Sequence, residues 1–423
     1  MKSFKFAWNA LADQPHNVAP RSERTRHHFV HGRTYLSMLG SNLIHGFSAY
    51  GFYRRNRRTM YRAEVPIRPD MFGLAVSPAP GRMDEILELL GETGARQILF
   101  RIPSWEKERL DAFEEFARAL KSRGFEPIIA LLQRREDVFR LDAWSAFLDD
   151  VFGRFHRYAA GFEIGHAWNR TKWGVWDYTE YVRLARAAAA LRAKHGVRLI
   201  GPAVIDFEFH LYPPVLRAVE FEIVSSLLYV DRVGAPENAQ YGFTAEMKMA
   251  LFQAMAESGT GRRPDCWVTE FNWPLAGTGP YSPASGKPNV GEEEQADYLI
   301  RYYILALASG LISRVYWWQL AAPGYGLVDV RERPGHRRPS FHAFRTMTAM
   351  LAGSVFLRRE RPRGGDVFYF GKGGREFGVA WTNGAPWEND FERPVTRIVG
   401  RGGGELAPSS RVRIDGHPKY IFF

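Results

Sequence analysis

The sequence predicts an α/β fold: a (β/α)8 TIM barrel, followed by a small C-terminal antiparallel β-domain and preceded by a basic N-terminal extension. Eight short apolar runs recur between residues 69 and 353, and each is followed by a helical pattern or a helix-length connection. That span of about 280 residues matches the usual size of such a barrel. An open doubly wound sheet is the competing arrangement, but no Gly-rich phosphate turn follows the first run.

The first run is FGLAVSP, with a helical pattern at 83–90 behind it, and RQILFRIP is the second, backed by 115–121. EPIIALL and AGFEIG follow, separated by a helical stretch near 142–157. VRLIGPAVI comes after the helix at 178–195, EIVSSLLYV after a shorter connection, and DCWVTEF after 243–257. ISRVYWWQL is the eighth, behind 293–309, and RPSFHAFRTMTAMLAG supplies the last helix. Continuous apolar runs of this length suit parallel strands buried on both faces. Beyond Gly353 the texture changes to short strands broken by Gly and by Asn-Gly, which predicts antiparallel pairing over 354–423. Strands from the N-terminal segment can join that sheet.

Composition narrows the function. The chain has 423 residues, 45% of them hydrophobic, enough for one large core and a small second one. Its single cysteine, Cys266, rules out an intrachain disulfide and a zinc-thiolate site, and fits a reducing compartment. The start, MKSFKFAWNALADQPHN, lacks the apolar region of a signal peptide, so a cytoplasmic location is expected.

Of the net charge of +11, residues 1–68 contribute +9, from 12 Lys/Arg against Asp13, Glu23 and Glu64. The same segment carries His27, His28 and His31, then a semi-apolar stretch from Tyr35 to Tyr53, then RRNRR from Arg54 to Arg58. Three Ser, an Asn and a His within Tyr35–Tyr53 argue against a membrane span. Two readings stand: an interfacial helix at an anionic membrane surface, and a basic extension packed on the barrel. Metal binding by the three His ranks behind both. No recognised motif accompanies the charge, so nucleic acid is not an expected partner.

In a barrel, chemistry sits where strands end and βα loops begin. Those ends carry Arg101 and Trp105, then Gln133, then His166, Asn169 and Trp173. Asp206, Glu208 and His210 follow, then Tyr229, Asp231 and Arg232, and then Glu270, Asn272 and Trp273. Trp317, Trp318 and Gln319 close the series. Aromatic faces beside carboxylates and amides suit sugar rings, whose C–H faces pack on aromatics while their hydroxyls need polar partners. An oligosaccharide or glycolipid is therefore the expected substrate, with neither cofactor nor metal required.

From about Met71 to Phe423 the chain resembles a clan A glycoside hydrolase of the family 39 and family 5 kind, and four places carry the resemblance. WVTEFNW is similar to the seventh-strand motif, which implies Glu270 as nucleophile. LFRIP puts Arg101 where the clan keeps an arginine, and SSLLYV puts Tyr229 near the tyrosine that supports the nucleophile, without the histidine often found before it. VYWWQL supplies the eighth-strand tryptophan.

The fourth strand departs from the clan. Where the clan reads Asn-Glu, as in EIGNEPN, GFEIGHAWN has His166 and Ala167, so the general acid is missing. Glu163 lies four residues upstream, about 13 Å along an extended strand, and does not replace it easily. A retaining pair of carboxyl groups sits about 5–5.5 Å apart and an inverting pair about 6.5–9.5 Å. Glu208 is the first candidate for the vacant role, with Asp206, His166 and Asp231 behind it. The reading is a glycosidase or transglycosidase on a bacterial-type glycan or glycolipid. A non-catalytic glycan binder and transfer from a phosphate-activated sugar are the alternatives.

Overall fold

The computed structural model describes residues 6–16, 20–79, 81–230, 233–282 and 289–423. The chain opens with a small hairpin, β1 (Trp8–Asn9) paired to β2 (Gln14–Pro15), and continues into helices α1 (Arg21–Val30) and α2 (Gly32–Thr59). The short strand β3 (Val65–Ile67) leads into the barrel.

Every apolar run becomes one barrel strand: β4 (Phe72–Ala75), β5 (Gln97–Pro103), β6 (Glu126–Leu132), β7 (Phe162–Ile164), β8 (Leu199–Ile205), β9 (Ile223–Leu227), β10 (Asp265–Phe271) and β11 (Arg314–Trp317). All neighbours pair in parallel, and β11 returns to β4 through Val315 and Phe72 to close the cylinder. The helices are α3 (Met83–Thr93), α4 (Leu110–Ser122), α5 (Arg135–Phe139), α6 (Leu141–Phe155), α7 (Tyr178–His195), α8 (Tyr212–Ala218), α9 (Ala245–Thr260), α10 (Glu292–Leu307) and α11 (Pro339–Leu351). Closure makes alternate residues of each strand face inward, and Leu99, Ile128, Ala130, Ile223, Trp267 and Tyr316 fill the interior. Gly73 on β4 has to be glycine, because a Cβ there would stand 2.4 Å from the Tyr316 ring.

Beyond the barrel, strands Ser354–Glu360, Asp366–Lys372, Arg375–Trp381, Lys419–Phe422, Arg397–Gly400 and Glu405–Leu406 form an antiparallel sheet. Strand β3 completes it as a seventh, edge strand, pairing Pro66 with Val355. The β-sheet therefore takes in residues on both sides of the barrel. Arg359 ties it to α9 through an ion pair with Glu246 and is itself held within the sheet by Asp366 at 2.7 Å.

Helix α2 lies against α9, and its buried residues, His45, Ala49 and Asn56, fall on one stripe at helical spacing. His45 Nδ1 and Ser48 Oγ meet Ser258 Oγ at 3.1 and 2.7 Å, Asn56 donates to the Ala250 carbonyl at 3.2 Å, and Arg55 pairs with Glu257. The opposite stripe is apolar and open to solvent: Leu36, Leu43, Ile44 and Phe47 are 69, 65, 75 and 88% exposed. This amphipathic helix is packed on its polar side. Among the described residues no helix is long and apolar enough to cross a membrane.

Helix α1 docks through His27, whose Nε2 meets Asp177 Oδ2 at 2.7 Å and whose ring stacks on His31 at 4.2 Å. The ligand atoms of His27, His31 and Asp177 lie within 4.8 Å of one another, the one group of described residues with cation-binding spacing. Asp177 already caps α7 by accepting from Thr179 N and Glu180 N.

Candidate active site

Strand phase explains which side chains reach the mouth. On β5, Leu99 faces inward and so does Arg101 two residues on; on β9, Leu227 faces inward and Tyr229 follows in the same phase. On β10, Trp267 faces in while Val268 and Phe271 pack outward. Strict alternation would turn Glu270 out with Val268. The register against β11 shifts between Val268 and Phe271, and this irregularity returns Glu270 to the mouth.

The Glu270 carboxylate is held at both oxygens. The Tyr229 hydroxyl donates to Oε1 at 2.6 Å, and Arg101 Nη2 donates to Oε2. Arg101 is itself fixed with its guanidinium 3.4 Å from the centre of the Trp318 ring. The same Nη2 reaches His166 Nε2 at 2.8 Å. A guanidinium only donates, so His166 Nε2 accepts and the proton sits on Nδ1. Burial, then the charges of Arg101 and Lys172, push the His166 pKa well below its ordinary value, so the ring is neutral and unsuited to act as an acid.

The loop GHAWNRTKWG is pinned from both sides. Gln133 on the β6 end accepts from His166 N at 2.8 Å and donates to the carbonyls of His166 and Trp173 at 3.1 Å. Asn169 clamps Ile205 of β8 by accepting from its N–H and donating to its carbonyl, each at 2.9 Å. Trp168 stacks on Tyr181 at 4.4 Å and donates to Pro202 O at 2.6 Å. Gly174 (φ +92°) lies so close to α5 that a Cβ would stand 2.2 Å from Arg135 N. Within this loop Ala167 is fully buried at φ +42°, a left-handed conformation uncommon for a residue with a side chain.

A cavity of about 170 Å³ opens at the barrel mouth. Of the residues predicted for the site, Arg101, His166, Trp173, Asp206, Tyr229, Glu270, Asn272 and Trp318 line it. Asp231 lies outside the described residues.

The others sit elsewhere, each for a physical reason. Glu208 is not among the lining residues: one of its oxygens accepts from Asn169 at 2.9 Å and the other pairs with Arg170. Arg170 also holds Asp206 at 2.7 Å, so the two carboxylates of DFEFH share one guanidinium. Glu208, expected to supply the proton, thus has its carboxylate engaged in an ion pair and a loop clamp away from the cavity lining. Asn169 is that clamp and does not line the cavity. Trp317 points outward into the core, edge-on to Phe271 at 5.2 Å, because the inward phase of β11 belongs to Tyr316 and Trp318. Gln319 is buried beside Tyr325, and Trp105 is covered by the N-terminal hairpin. Glu163 lies inside the barrel, where burial pushes its carboxyl up to about 7.

The hairpin is the part sequence reasoning missed. Phe6 and Trp8 pack on Trp105 at 4.5 and 5.3 Å, and Trp8 meets Trp173 at 5.9 Å. Lys172 donates to Gln14 Oε1 at 2.5 Å. Ala12, Asp13 and Gln14 thereby form one wall of the cavity, and Asp13 Oδ2 lies 3.1 Å from Arg101 Nη1. No apolar run marks this segment, and its partners are far away in sequence.

Several solved structures share this architecture. A family 39 glycoside hydrolase from the gut symbiont Bacteroides cellulosilyticus WH2 superposes with a TM-score of 0.66 at 16% identity, over 84% of this chain and 81% of that one. A GH30 endoxylanase from Clostridium papyrosolvens C71 gives 0.56 at 11% identity, over 86% and 98%. A GH51 arabinofuranosidase from Xanthomonas axonopodis pv. citri gives 0.55 at 11%, over 85% and 97%. No protein-family model and no curated protein sequence matches the chain. The chain thus has the fold of the clan A glycoside hydrolases, a closed eight-stranded parallel barrel with an appended antiparallel sheet.

Proposed function

We propose that the protein is a carbohydrate-active enzyme, a glycosidase or transglycosidase in which Glu270 attacks the anomeric carbon. The observation that carries this reading is the Glu270 carboxylate at the barrel mouth, held by Tyr229 and Arg101 and facing a cavity walled by Trp173 and Trp318. A nucleophile needs this fixed aim, because a covalent glycosyl-enzyme forms only when the attacking oxygen is already oriented. A glycan binder needs no such carboxylate. Asn272 lines the same cavity, and among the described residues its buried Oδ1 has no hydrogen-bond partner.

The cavity is well below the roughly 300–1,000 Å³ of drug-sized sites. With the hairpin across the mouth, it favours a terminal sugar unit over the middle of a long chain. The exposed apolar stripe of α2, on a segment of charge +9, supports placing the enzyme at an anionic membrane surface, in keeping with a glycolipid substrate.

The test is covalent labelling. A panel of activated 2-deoxy-2-fluoro sugars should include one that adds its mass to the wild type, with the label on Glu270, and Glu270→Gln should stay unmodified. Labelling that persists in Glu270→Gln would remove Glu270 from the role.

A further inference from the structure

The geometry points to Asp13, carried by the N-terminal hairpin, as the acid/base that protonates the leaving oxygen in place of the carboxyl missing at Ala167. The inference rests on Glu270 as the nucleophile.

Three observations converge on Asp13. First, one guanidinium holds both carboxylates: Arg101 Nη1 contacts Asp13 Oδ2 at 3.1 Å and Nη2 contacts Glu270 Oε2. Neighbouring nitrogens of one planar group thus bring the two carboxyl groups side by side at the cavity. Second, Ala167 and Asp13 line the same cavity, so the small side chain leaves room beneath the hairpin that a Glu at 167 would take. Third, the hairpin is fastened in place. Trp8 sits against Trp105 and Trp173, Gln14 accepts from Lys172, and Asn9 Oδ1 accepts from Leu11 N at 3.0 Å and Ala12 N at 3.2 Å, closing the turn. Asp13 itself takes φ +50°, a conformation Asp tolerates better than most residues.

Among the described residues, the other carboxylates considered for the role have other partners or positions. Arg170 binds Asp206 and Glu208, and Glu163 lies below the cavity floor. The Asp13 side chain is 23% exposed, open enough to reach a substrate. Burial, opposed by Arg101 and reinforced by the charge of Glu270, raises its pKa to about 6, so the protonated form persists well above the usual carboxylate range.

In the first step Glu270 forms a bond to the anomeric carbon, the glycosidic C–O bond breaks, and the Asp13 proton passes to the departing oxygen. In the second, Asp13 as carboxylate takes a proton from water, the water oxygen bonds to the anomeric carbon, and the ester to Glu270 breaks. Proton and electron pairs balance over the cycle.

The experiment uses the full chain with aryl glycosides of the sugar that labels Glu270, ranging from dinitrophenyl to unactivated phenyl leaving groups. Asp13→Asn should lose about 10²–10⁴-fold on the unactivated glycosides and far less on the dinitrophenyl ones. Sodium azide should accelerate the variant on the activated substrates and give a glycosyl azide. The wild-type rate on unactivated substrates should fall as pH rises through about 6, because the acid must be protonated, and Asp13→Asn should lack that fall. Asp13→Glu should recover part of the rate. A purely structural role would slow all leaving groups alike, with no azide product and no change in pH profile, and would overturn the proposal. So would wild-type kinetics in Asp13→Asn, with Glu270 left standing. If no sugar labels Glu270 and no dinitrophenyl glycoside is cleaved, the nucleophile itself fails and this inference falls with it.

Discussion

Glu163 sits at the barrel centre, 1% exposed, with its carboxyl raised by burial to about 7 from an ordinary 4.5. A raised folded-state pKa means that the native protein binds this proton more tightly than the unfolded chain does. The resulting stability is fully present below about pH 4.5 and is lost as pH rises through about 7. The shift sets an upper bound of about 3 kcal/mol. Glu163→Gln, which keeps the shape and removes the titration, should flatten stability between those pH values. Chemical denaturation of both proteins at pH 5 and pH 8 checks this: wild type should lose more stability than the variant over that interval. Equal slopes would mean that Glu163 keeps its charge in the native state. At this scale the sequence was partly legible. Arg101, Tyr229 and Glu270 stand at strand ends, and strand ends in a barrel converge. In VYWWQL two adjacent tryptophans occupy both phases of the strand, and sequence alone could not decide that Trp318 faces the cavity and Trp317 the core.

At the scale of single elements, α2 stands apart. Its polar and small residues, His45, Ser48, Ala49 and Asn56, meet α9, while Leu36, Leu43, Ile44 and Phe47 face solvent. Exposing an apolar stripe of this length is costly unless something covers it. The membrane-surface proposal rests on this stripe together with Arg54, Arg57 and Arg58 on the same helix, which would attract anionic headgroups. The full chain should pellet with phosphatidylglycerol-containing vesicles and detach as salt rises, since exposed charges are screened within about 10 Å at 0.1 M salt. Leu43→Asp with Phe47→Asp should abolish pelleting and leave Glu270 labelling intact. If vesicles do not bind, and the same substitutions instead split a dimer seen by sedimentation, the stripe belongs between copies of the chain. The sequence suggested lipid contact and packing on the barrel as rival readings. The contacts with α9 show the packing, and the vesicle experiment addresses the lipid reading. The hairpin was not legible as an element, because nothing in MKSFKFAWNALADQPHN has strand length and the contacts that dock it are non-local.

At the scale of the molecule, the eightfold alternation of apolar runs and helices was legible because a closed parallel barrel needs each strand buried on both faces. That a strand from the N-terminal segment can join the C-terminal sheet was also legible; which strand joins, and where it pairs, was not. Strand β3 precedes the barrel and pairs with Ser354–Glu360 beyond it, and Arg359 bonds the sheet to α9. A chain cut after Gly353 would leave β3 without its partner and remove Phe356, Phe368 and Phe370 from the core they share with the barrel. Such a fragment is expected to be insoluble or to unfold at least 10 °C below the full chain, as thermal melts of the two would show. A fragment as stable as the parent would make the sheet an independent appendage.

The pairing of Pro66 with Val355 also has a meaning in time. On the ribosome, the segment around Val65 emerges long before the strand that will cover its edge exists. Until then it must stay out of trouble, and its brevity and its proline, which withholds an amide from any passing strand, help it do so. The hairpin waits as well, since Trp105 and Trp173 must be in place before Trp8 can dock. The hairpin, made before the barrel, thus settles after it, and the cavity gains its last wall only when the strands beneath are already in place.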